Sequence, residues 1–227
     1  MKLVKKEVII LEFNWMIVKQ YLPVFRQAFF NTLNVSGVSL VFALIVGLIG
    51  GLCKISKNKI IHNIASIYVN AIRSTPLLAQ LYLIFFGFPY IGIKFSPFVT
   101  GVIALTLNSG AYITEIVRSG IEAVPKGQTE ASLSIGMNYF TMMRRIILPQ
   151  AFVIIIPPLV GQSVVLIKDT CLLSIIAYTE LTRAAEIVVA NSFAPSEGYI
   201  TSALLYLTLC FVLMRFSRYL EKRQKKV

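Results

Sequence analysis

A small set of polar or ionisable residues lies where the surrounding sequence is mostly apolar. They are Arg73, Asn108, Gln162, Lys168 and Asp169. An ionised side chain at the centre of a lone membrane helix costs on the order of 2.5 to 3.5 kcal/mol, so such residues are expected to face protein or water. Amide and carboxyl groups kept away from lipid can hydrogen-bond a polar solute. These residues are therefore candidates for the lining of a transport pathway.

A structural explanation is also open for four of these residues and for Thr75. Lys168 and Asp169 are neighbours and could form an interfacial pair that neutralises itself, which is as good an explanation as a substrate contact. For Asn108, the sequence alone favours an interhelical hydrogen bond. Arg73 could bind a lipid phosphate or a helix end, and Thr75 could satisfy backbone groups freed by the proline that follows it.

Other chemistry is poorly supported by the residues present. His62 is the only histidine, the acids are spread thinly, and the cysteines Cys53, Cys171 and Cys210 occur singly. A metal centre is therefore not expected. A membrane-embedded enzyme, which needs a nucleophile with a base or paired carboxylates, is also disfavoured. No glycine is followed by lysine, which excludes a Walker A phosphate loop in this sequence.

The composition is that of a membrane protein. The chain has 227 residues, of which 56% are hydrophobic and 14% charged, and its mean hydropathy is +0.75. Soluble domains are about 25% charged, and a spanning helix needs about 20 apolar residues. This length leaves room for five or six spans and no large soluble domain. The net charge of +12 must then be interpreted through the positions of the basic residues relative to the spans.

The apolar stretches predict an all-α integral membrane protein with five transmembrane helices. An amphipathic arm over residues 1–26 precedes a membrane domain over 27–215, and a basic tail follows over 216–227. The predicted spans cover residues 27–53, 63–88, 98–119, from about 149 to 168, and 198–214.

Several features inside these segments predict local structure. Gly37, Gly47, Gly50 and Gly51 leave room for close helix contacts in the first span. Pro76 is expected to kink the second span, and the prolines at 157 and 158 predict a poor continuous helix in the fourth. Residues 172–178 are too short to cross and predict a re-entrant or buried return, whereas 180–197 predicts a polar connecting segment.

The basic residues predict the orientation. Most of them fall in the loop that contains Lys54 and Lys57, in the segment around residues 118–145, and in the tail. Because cytoplasmic loops carry the excess of lysine and arginine, these three regions are expected in the cytoplasm, although the basic arm argues mildly the other way. An odd number of spans then places the N-terminus outside and the C-terminus inside. Nucleic-acid binding becomes a poor explanation of the net charge.

Residues 128–145 form a compact elbow between two spans. Thr129 is expected to cap a short helix with Glu130 in its first turn, and Gly136 to end it. Asn138 can cap a second short helix. Leucine, isoleucine and phenylalanine side chains in this elbow give a partly apolar surface that a solvated loop would not need, which suggests a partner. An ordinary amphipathic linker helix is the alternative.

The elbow resembles the EAA loop of permease subunits in bacterial ABC importers. Glu130, Ala131, Gly136 and the Ile146-Ile147-Leu148-Pro149 run fall at the spacing of that family, and Ser132 replaces its usual second alanine. The resemblance implies a cytoplasmic coupling helix, within a coupling loop at 125–146, that docks on an ATP-binding subunit through Glu130, Ala131, Ser132 and Gly136. ATP and Mg²⁺ would then bind to that partner, with no cofactor in this chain.

Further segments are similar to the polar amino acid branch of these permeases. They are Arg73-Ser74-Thr75-Pro76-Leu77-Leu78, Leu107-Asn108-Ser109-Gly110-Ala111-Tyr112 and Leu166-Ile167-Lys168-Asp169-Thr170. The branch implies the type I importer fold, a homodimer or heterodimer of permeases, a pair of ATPase subunits and an extracytoplasmic solute-binding protein in a bacterial inner or plasma membrane. By this analogy the substrate pathway contains Thr75, Asn108, Gln162 and Asp169.

The chain departs from cationic amino acid permeases at Gln162, where those proteins tend to have glutamate. Without that second carboxylate, arginine and lysine are less expected, and the segments resemble most closely permeases for cystine or other sulfur amino acids. The alternative function is an ATP-independent channel or secondary transporter. No internal repeat of the kind common in secondary transporters is evident, and such proteins would have no use for the elbow.

Overall fold

The computed structural model describes residues 13–224, with side chains described through Arg215 and at Tyr219. Residues 1–12 of the predicted arm and 225–227 of the tail lie outside this range. Every regular element in the described range is helical. The α-helices are α1 (Trp15–Gln20), α2 (Leu22–Lys54), α3 (Lys59–Arg73), α4 (Leu77–Tyr82), α5 (Pro97–Glu122), α6 (Lys126–Ser134), α7 (Tyr139–Met142), α8 (Leu148–Asp169), α9 (Leu181–Ser192) and α10 (Pro195–Gln224).

Helix α2 packs closely along α5, and glycines make this approach possible. A Cβ atom on Gly47 would lie 2.3 Å from Ile113 Cγ2, and one on Gly51 would lie 2.4 Å from Val117 Cγ1. Gly50 stands equally close to Thr114, whereas Gly37 has open space around its Cα. The predicted close contact is therefore present at Gly47, Gly50 and Gly51 and absent at Gly37. Helix α5, which also packs against α3, α4 and α8, is the central helix of the bundle.

The second predicted span is broken more sharply than a proline kink. Helix α3 ends at Arg73, α4 begins at Leu77, and the two directions differ by 100°. A π-helical turn (Leu83–Gly87) and a 3₁₀ turn (Phe88–Ile91) complete the second half. Because Pro76 has no N–H and disfavours an α conformation at the residue before it, the chain stops one helix and starts another.

The fourth predicted span is a more regular helix than its prolines suggested. Helix α8 runs without interruption from Leu148 to Asp169 with Pro157 and Pro158 inside it, so the prediction of a poor helix was wrong. Each proline removes one donor from the helical ladder but leaves the remaining bonds, a defect that membrane helices tolerate. A 3₁₀ turn (Thr170–Ile176) follows and ends at Ala177, whose φ is +58°.

The 3₁₀ turn after α8 is part of the core. Leu173 and Ile176 are buried and pack with Val35 of α2, Leu81 of α4 and Leu105 of α5. The apolar 172–178 segment is thus a buried return, one of the two alternatives expected from the sequence. It connects α8 to the elements that lie beside the broken span.

The segment after this turn is not a polar linker. Helix α9 buries Leu181, Ala184, Ala185 and Val188 against α2 and α10. Its N-cap is Glu180, whose side chain is fully buried and accepts hydrogen bonds from the N–H groups of Thr182 and Arg183. The prediction of a polar connecting segment was wrong, because only one face of this helix carries the polar residues.

Within residues 13–224, three helical stretches are long and apolar enough to cross a membrane by length and composition: Leu22–Lys54, Tyr139–Ile176 and Pro195–Arg215. The bent pair Lys59–Arg73 and Leu77–Ile91 would make a fourth if it is one span. The count of five spans therefore stays a prediction. Helix α2 also begins before the apolar stretch predicted at residue 27, and α10 continues past the predicted start of the tail.

Candidate functional site

The break in the second span forms one side of a hydrogen-bonded cluster. Thr75 lies in the break, and its Oγ1 accepts a hydrogen bond from Gln80 Nε2 at 2.8 Å. Gln80 Oε1 in turn accepts from Asn108 Nδ2 on α5 at 3.3 Å. The predicted pathway residues Thr75 and Asn108 are thus brought together through Gln80. Asn108 is buried, whereas Thr75 is exposed, so the cluster reaches from the interior to the surface of the chain.

The Thr75 hydroxyl also has the structural role considered above. It donates to the carbonyl oxygen of Ala71 at 3.0 Å, a group close to the chain break at Pro76. Backbone satisfaction and a pathway role are therefore compatible, because the same oxygen can accept from a second group while it donates. A polar solute at this position would compete with Gln80 for it.

The other two predicted pathway residues lie on α8. Gln162 Nε2 donates to Ser109 Oγ at 3.4 Å, next to Asn108 on α5, so Gln162 adjoins the cluster. Asp169 is half-buried at the end of α8. Among the described residues it forms no ion pair, neither with Lys168 nor with the Thr75 cluster. The geometry thus joins Thr75, Asn108 and Gln162 but leaves Asp169 apart.

Charged side chains of α2, α3 and α5 form a cluster around Glu115 of α5. Glu115 pairs with Lys54 of α2 and with Arg118, at 2.8 Å for the latter, and Arg73 Nη1 lies 3.9 Å from its Oε2. The Arg73 guanidinium also stacks over the Tyr112 ring, with 5.1 Å between the guanidinium carbon and the ring centroid. Arg73 therefore contacts protein groups, and its position fixes the end of α3 against α5.

The elbow contains one separate short helix, α6, and then α7, which continues through a π-helical turn (Met143–Ile147) into α8. The first cap also differs from the prediction. Helix α6 begins at Lys126 with Pro125 at its N-cap position, so the prediction that Thr129 caps it was wrong. The N–H groups at the start of a helix have no helical acceptor, so a proline, which lacks an N–H, is tolerated at this position. The helix therefore begins earlier than it would with Thr129 as its cap. Gly136 follows the helix with φ +78°, and the Asn138 side chain accepts from the N–H of Thr141 to cap α7, as predicted.

The outer side of the elbow is strongly apolar. Leu133, Ile135, Tyr139 and Phe140 are 56%, 77%, 53% and 72% exposed, around Gly136. We call these four side chains the elbow patch. Glu130 and Ala131 are exposed beside them, whereas Ser132 is buried and donates to the Gln128 carbonyl at 2.6 Å. Of the four predicted coupling residues, Ser132 is therefore buried and bonded to the backbone of α6, whereas the other three are exposed.

The elbow is held by the body of the bundle. Met142 and Ile147 pack in one buried cluster with Val117 and Ile121 of α5 and with Val124, which follows α5. From the α2–α3 loop, the Lys57 ammonium lies 5.8 Å from the centre of the Tyr139 ring. Movement of the elbow can therefore pass to α5, the helix that carries Asn108, through direct side-chain contact.

Sequence reasoning did not single out two residues that the structure makes central. Gln80 is one of them, and no local sequence signal marks it, because its role depends on contacts with Ile72 and Asn108. Glu180 is the other, since it precedes the Leu181, Ala184 and Val188 spacing of a one-sided helix. A carboxylate at the start of such a pattern is favoured by the helix dipole, although glutamate is not one of the usual N-cap residues.

The chain matches known proteins along nearly its whole length. A family described as "Binding-protein-dependent transport system inner membrane component" matches residues 39–226. The chain is 42% identical over 211 residues to the L-cystine transport system permease protein TcyB of Bacillus subtilis, covering 92% of this chain and 90% of that protein. It is 33% identical to the glutamine transport system permease protein GlnP of Escherichia coli K12, with coverage of 95% and 99%.

Solved structures agree with this match. A chain from the structure described as "Crystal structure of an amino acid ABC transporter with histidines" superposes with a TM-score of 0.89 at 36% identity, covering 92% of this chain and 98% of that one. A chain of the MetNI methionine ABC transporter, at 20% identity and a TM-score of 0.69, shares the fold. The predicted all-helical type I importer fold is confirmed. The chain belongs to the family of binding-protein-dependent transport system inner membrane components, as a non-catalytic, multi-pass permease subunit of an amino acid ABC importer.

Proposed function

We propose that this chain imports a zwitterionic polar amino acid, of the cystine type, by alternating access driven by separate ATPase subunits. Membership of the family implies an ATP-binding subunit and a binding protein. The observation that carries the proposal is the elbow patch, a set of large apolar side chains exposed on the loop whose pattern matches the coupling loop. Such a patch needs a partner surface.

The proposed pathway consists of Thr75, Asn108, Gln162 and Asp169. Hydrogen bonds already link the first three to one region of α5. Asp169 has no ion-pair partner among the described residues, so its carboxylate is free to meet the α-ammonium group of an amino acid. Gln162 adds no second negative charge, which favours a neutral side chain on the substrate. The similarity to a permease named for L-cystine supports the same class.

The test of this proposal combines recovery of partners with uptake. The tagged chain, extracted from its native membrane in mild detergent, should bring a protein with a Walker A sequence and a second permease copy. Cells should accumulate labelled cystine in preference to arginine, and Asp169→Asn should lower that uptake by about tenfold, equivalent to about 1.4 kcal/mol of binding. The matched control is Glu186→Gln, which removes a carboxylate that pairs with Arg183 on the same helix.

The opposite results would exclude the proposal. Recovery of this chain alone as a self-contained oligomer would favour a channel or secondary transporter. Uptake of arginine above cystine would retain the importer function but overturn the substrate class. Equal losses in Asp169→Asn and Glu186→Gln would remove Asp169 from the pathway.

The proposed orientation places the N-terminus outside and the elbow in the cytoplasm. The contact between Lys57 and Tyr139 supports one common side for the basic α2–α3 loop and the elbow. Phe193, 90% exposed at the end of α9, should lie on the other side. A membrane-impermeant thiol reagent should therefore label Phe193→Cys in intact cells and label Phe140→Cys only after lysis. The reverse pattern would invert the topology.

A further inference from the structure

The Gln80 side chain joins more groups than any other residue near the break. Its Nε2 lies 2.8 Å from the Ile72 carbonyl oxygen, 3.2 Å from the Thr75 carbonyl oxygen and 2.8 Å from Thr75 Oγ1. Its Oε1 lies 3.3 Å from Asn108 Nδ2. One amide thus connects the end of α3, the break and α5.

The direction of this amide follows from its neighbours. Carbonyl oxygens only accept, so the nitrogen of Gln80 must face Ile72 and Thr75. The oxygen must then face Asn108, whose Nδ2 donates to it. Thr75 Oγ1 donates to Ala71, which leaves a lone pair for Gln80. A continuous chain of donors and acceptors therefore runs from α5 through Gln80 to the backbone of α3.

The amide also supplies a donor that the backbone lacks. In an unbroken helix the Ile72 carbonyl would accept from the N–H of residue 76, but Pro76 has none. Gln80 Nε2 takes that place. The Thr75 N–H, at 3.4 Å, and the Thr75 hydroxyl, at 3.3 Å, are longer contacts to the same carbonyl oxygen, so Gln80 is its closest donor. The same side chain holds Asn108 at its other end.

The other flank of the break is tied to the same helix. Arg73 stacks on Tyr112 and lies near Glu115, and both residues are on α5 together with Asn108. Positions 108, 112 and 115 are four and three apart, so they share one face of α5. The break is thus fixed on both sides to a single stripe of the central helix.

We propose that Gln80 is a positioning residue that ties the break to α5 in the absence of substrate, and that an amino acid releases it by taking over Asn108 and Thr75. This inference rests on the importer function proposed above. A zwitterionic amino acid has the required groups, because its carboxylate can accept from Asn108 Nδ2. The freed Gln80 then loses its fixed geometry at Ile72, and α4 is free to move relative to α5.

The test follows backbone hydrogen exchange at residues 77–82 in the reconstituted importer, with and without cystine. In the unmodified protein, cystine should speed exchange there by roughly threefold to tenfold, the change expected from loss of one hydrogen bond. In Gln80→Met, exchange should already be fast without cystine and should not rise further. Gln27→Leu, an exposed glutamine on α2, is the control and should behave as the unmodified protein does.

Asn108→Ala separates positioning from a purely structural role. If Gln80 acts through Asn108, this variant should also speed exchange at 77–82 without cystine, and the double variant Gln80→Met/Asn108→Ala should exceed neither single one. If Gln80 only replaces the missing donor at Ile72, Asn108→Ala should leave exchange unchanged and Gln80→Met should keep its response to cystine. That outcome would overturn the inference.

A second variant covers the case in which Gln80→Met does not assemble. Gln80→Glu keeps the length and the acceptor for Asn108 but cannot donate to Ile72, so it too should show fast exchange without cystine; normal slow exchange would overturn the inference. Failure of the proposed function is distinguishable. It would appear as no cystine uptake by the unmodified importer, whereas failure of the Gln80 role leaves uptake intact and shows either no faster exchange with cystine or the contrary variant results given above.

Discussion

Glu130→Lys is expected to reduce amino acid uptake by about tenfold or more while the permease keeps its fold. Glu130 is exposed beside the elbow patch, where a partner surface would meet it. Reversing a charge at an interface costs on the order of 2 to 5 kcal/mol when the pair is buried, and less at a rim. Phe140→Asp should have a larger effect, since it would place an unpaired carboxylate in an apolar contact.

The measurement is uptake in cells together with the amount of ATPase subunit that co-purifies. Both variants should lose co-purification and transport in parallel, while the permease should still be recovered from the membrane with its oligomeric state unchanged. Asn191→Lys is the control, because it adds a positive charge at an exposed position on α9. Normal uptake in Glu130→Lys and Phe140→Asp would exclude ATP coupling through the elbow.

Glu180→Ala is expected to destabilise the helical bundle by about 3 kcal/mol or more. The Glu180 side chain is fully buried and satisfies two backbone N–H groups at the start of α9 as well as the Tyr206 hydroxyl of α10. Each buried donor left without a partner costs about 1 to 3 kcal/mol. Glu180→Gln keeps an oxygen at this position and should cost much less.

The same residue predicts a pH dependence of stability. Burial raises the pKa of Glu180 from 4.5 to about 7, against the lowering effect of its hydrogen bonds to Tyr206, Thr182 and Arg183. Because the folded state holds this proton more tightly than the unfolded state, the contribution of Glu180 to stability is fully present below pH 4.5 and is lost as the pH rises through about 7. The protonated carboxyl can donate to the Tyr206 oxygen, and Tyr206 can then donate to Thr170, which lies 3.2 Å away.

Thermal unfolding in detergent between pH 5 and pH 8 checks both statements about Glu180. The loss of helical circular-dichroism signal on heating reports unfolding of this all-helical chain at every pH of the series. The midpoint should fall with rising pH in the unmodified protein and stay flatter in Glu180→Gln. An equal slope in the two proteins would show that another group titrates, and an unchanged midpoint in Glu180→Ala would remove Glu180 from the core.

The elbow could be predicted because its information is local. The spacing from Glu130 to Gly136 and on to Pro149 lies in one short stretch, and its second cap, Asn138, is next to the helix that it starts. The first cap was mistaken because Thr129 and Pro125 can both begin a helix. The sequence alone does not decide between these two starting points. The start of α6 depends on where α5 ends, and the end of α5 depends in part on its packing against α8.

The broken span and the buried acid were harder to foresee because they depend on contacts between distant residues. Pro76 predicts a kink, but the 100° angle follows from the attachment of Arg73 and Gln80 to α5. In the sequence, Glu180 has the features of a solvent-exposed residue. Its burial is compensated in part by a hydrogen bond from the Tyr206 hydroxyl of α10, a residue distant in sequence. Asp169 was assigned to the same substrate pathway as Asn108 by analogy; the described contacts do not join the two residues, and its role in the pathway stays a prediction.

The exposed elbow patch also affects the stability of the subunit in the cell before it assembles with its partners. A newly made subunit displays Ile135 and Phe140 to water, and exposed apolar clusters of this kind promote aggregation. Chaperones and proteases continuously remove chains that present such surfaces. The cellular amount of this permease is therefore expected to follow the supply of whatever covers the patch, which would keep the subunits in proportion without any further control.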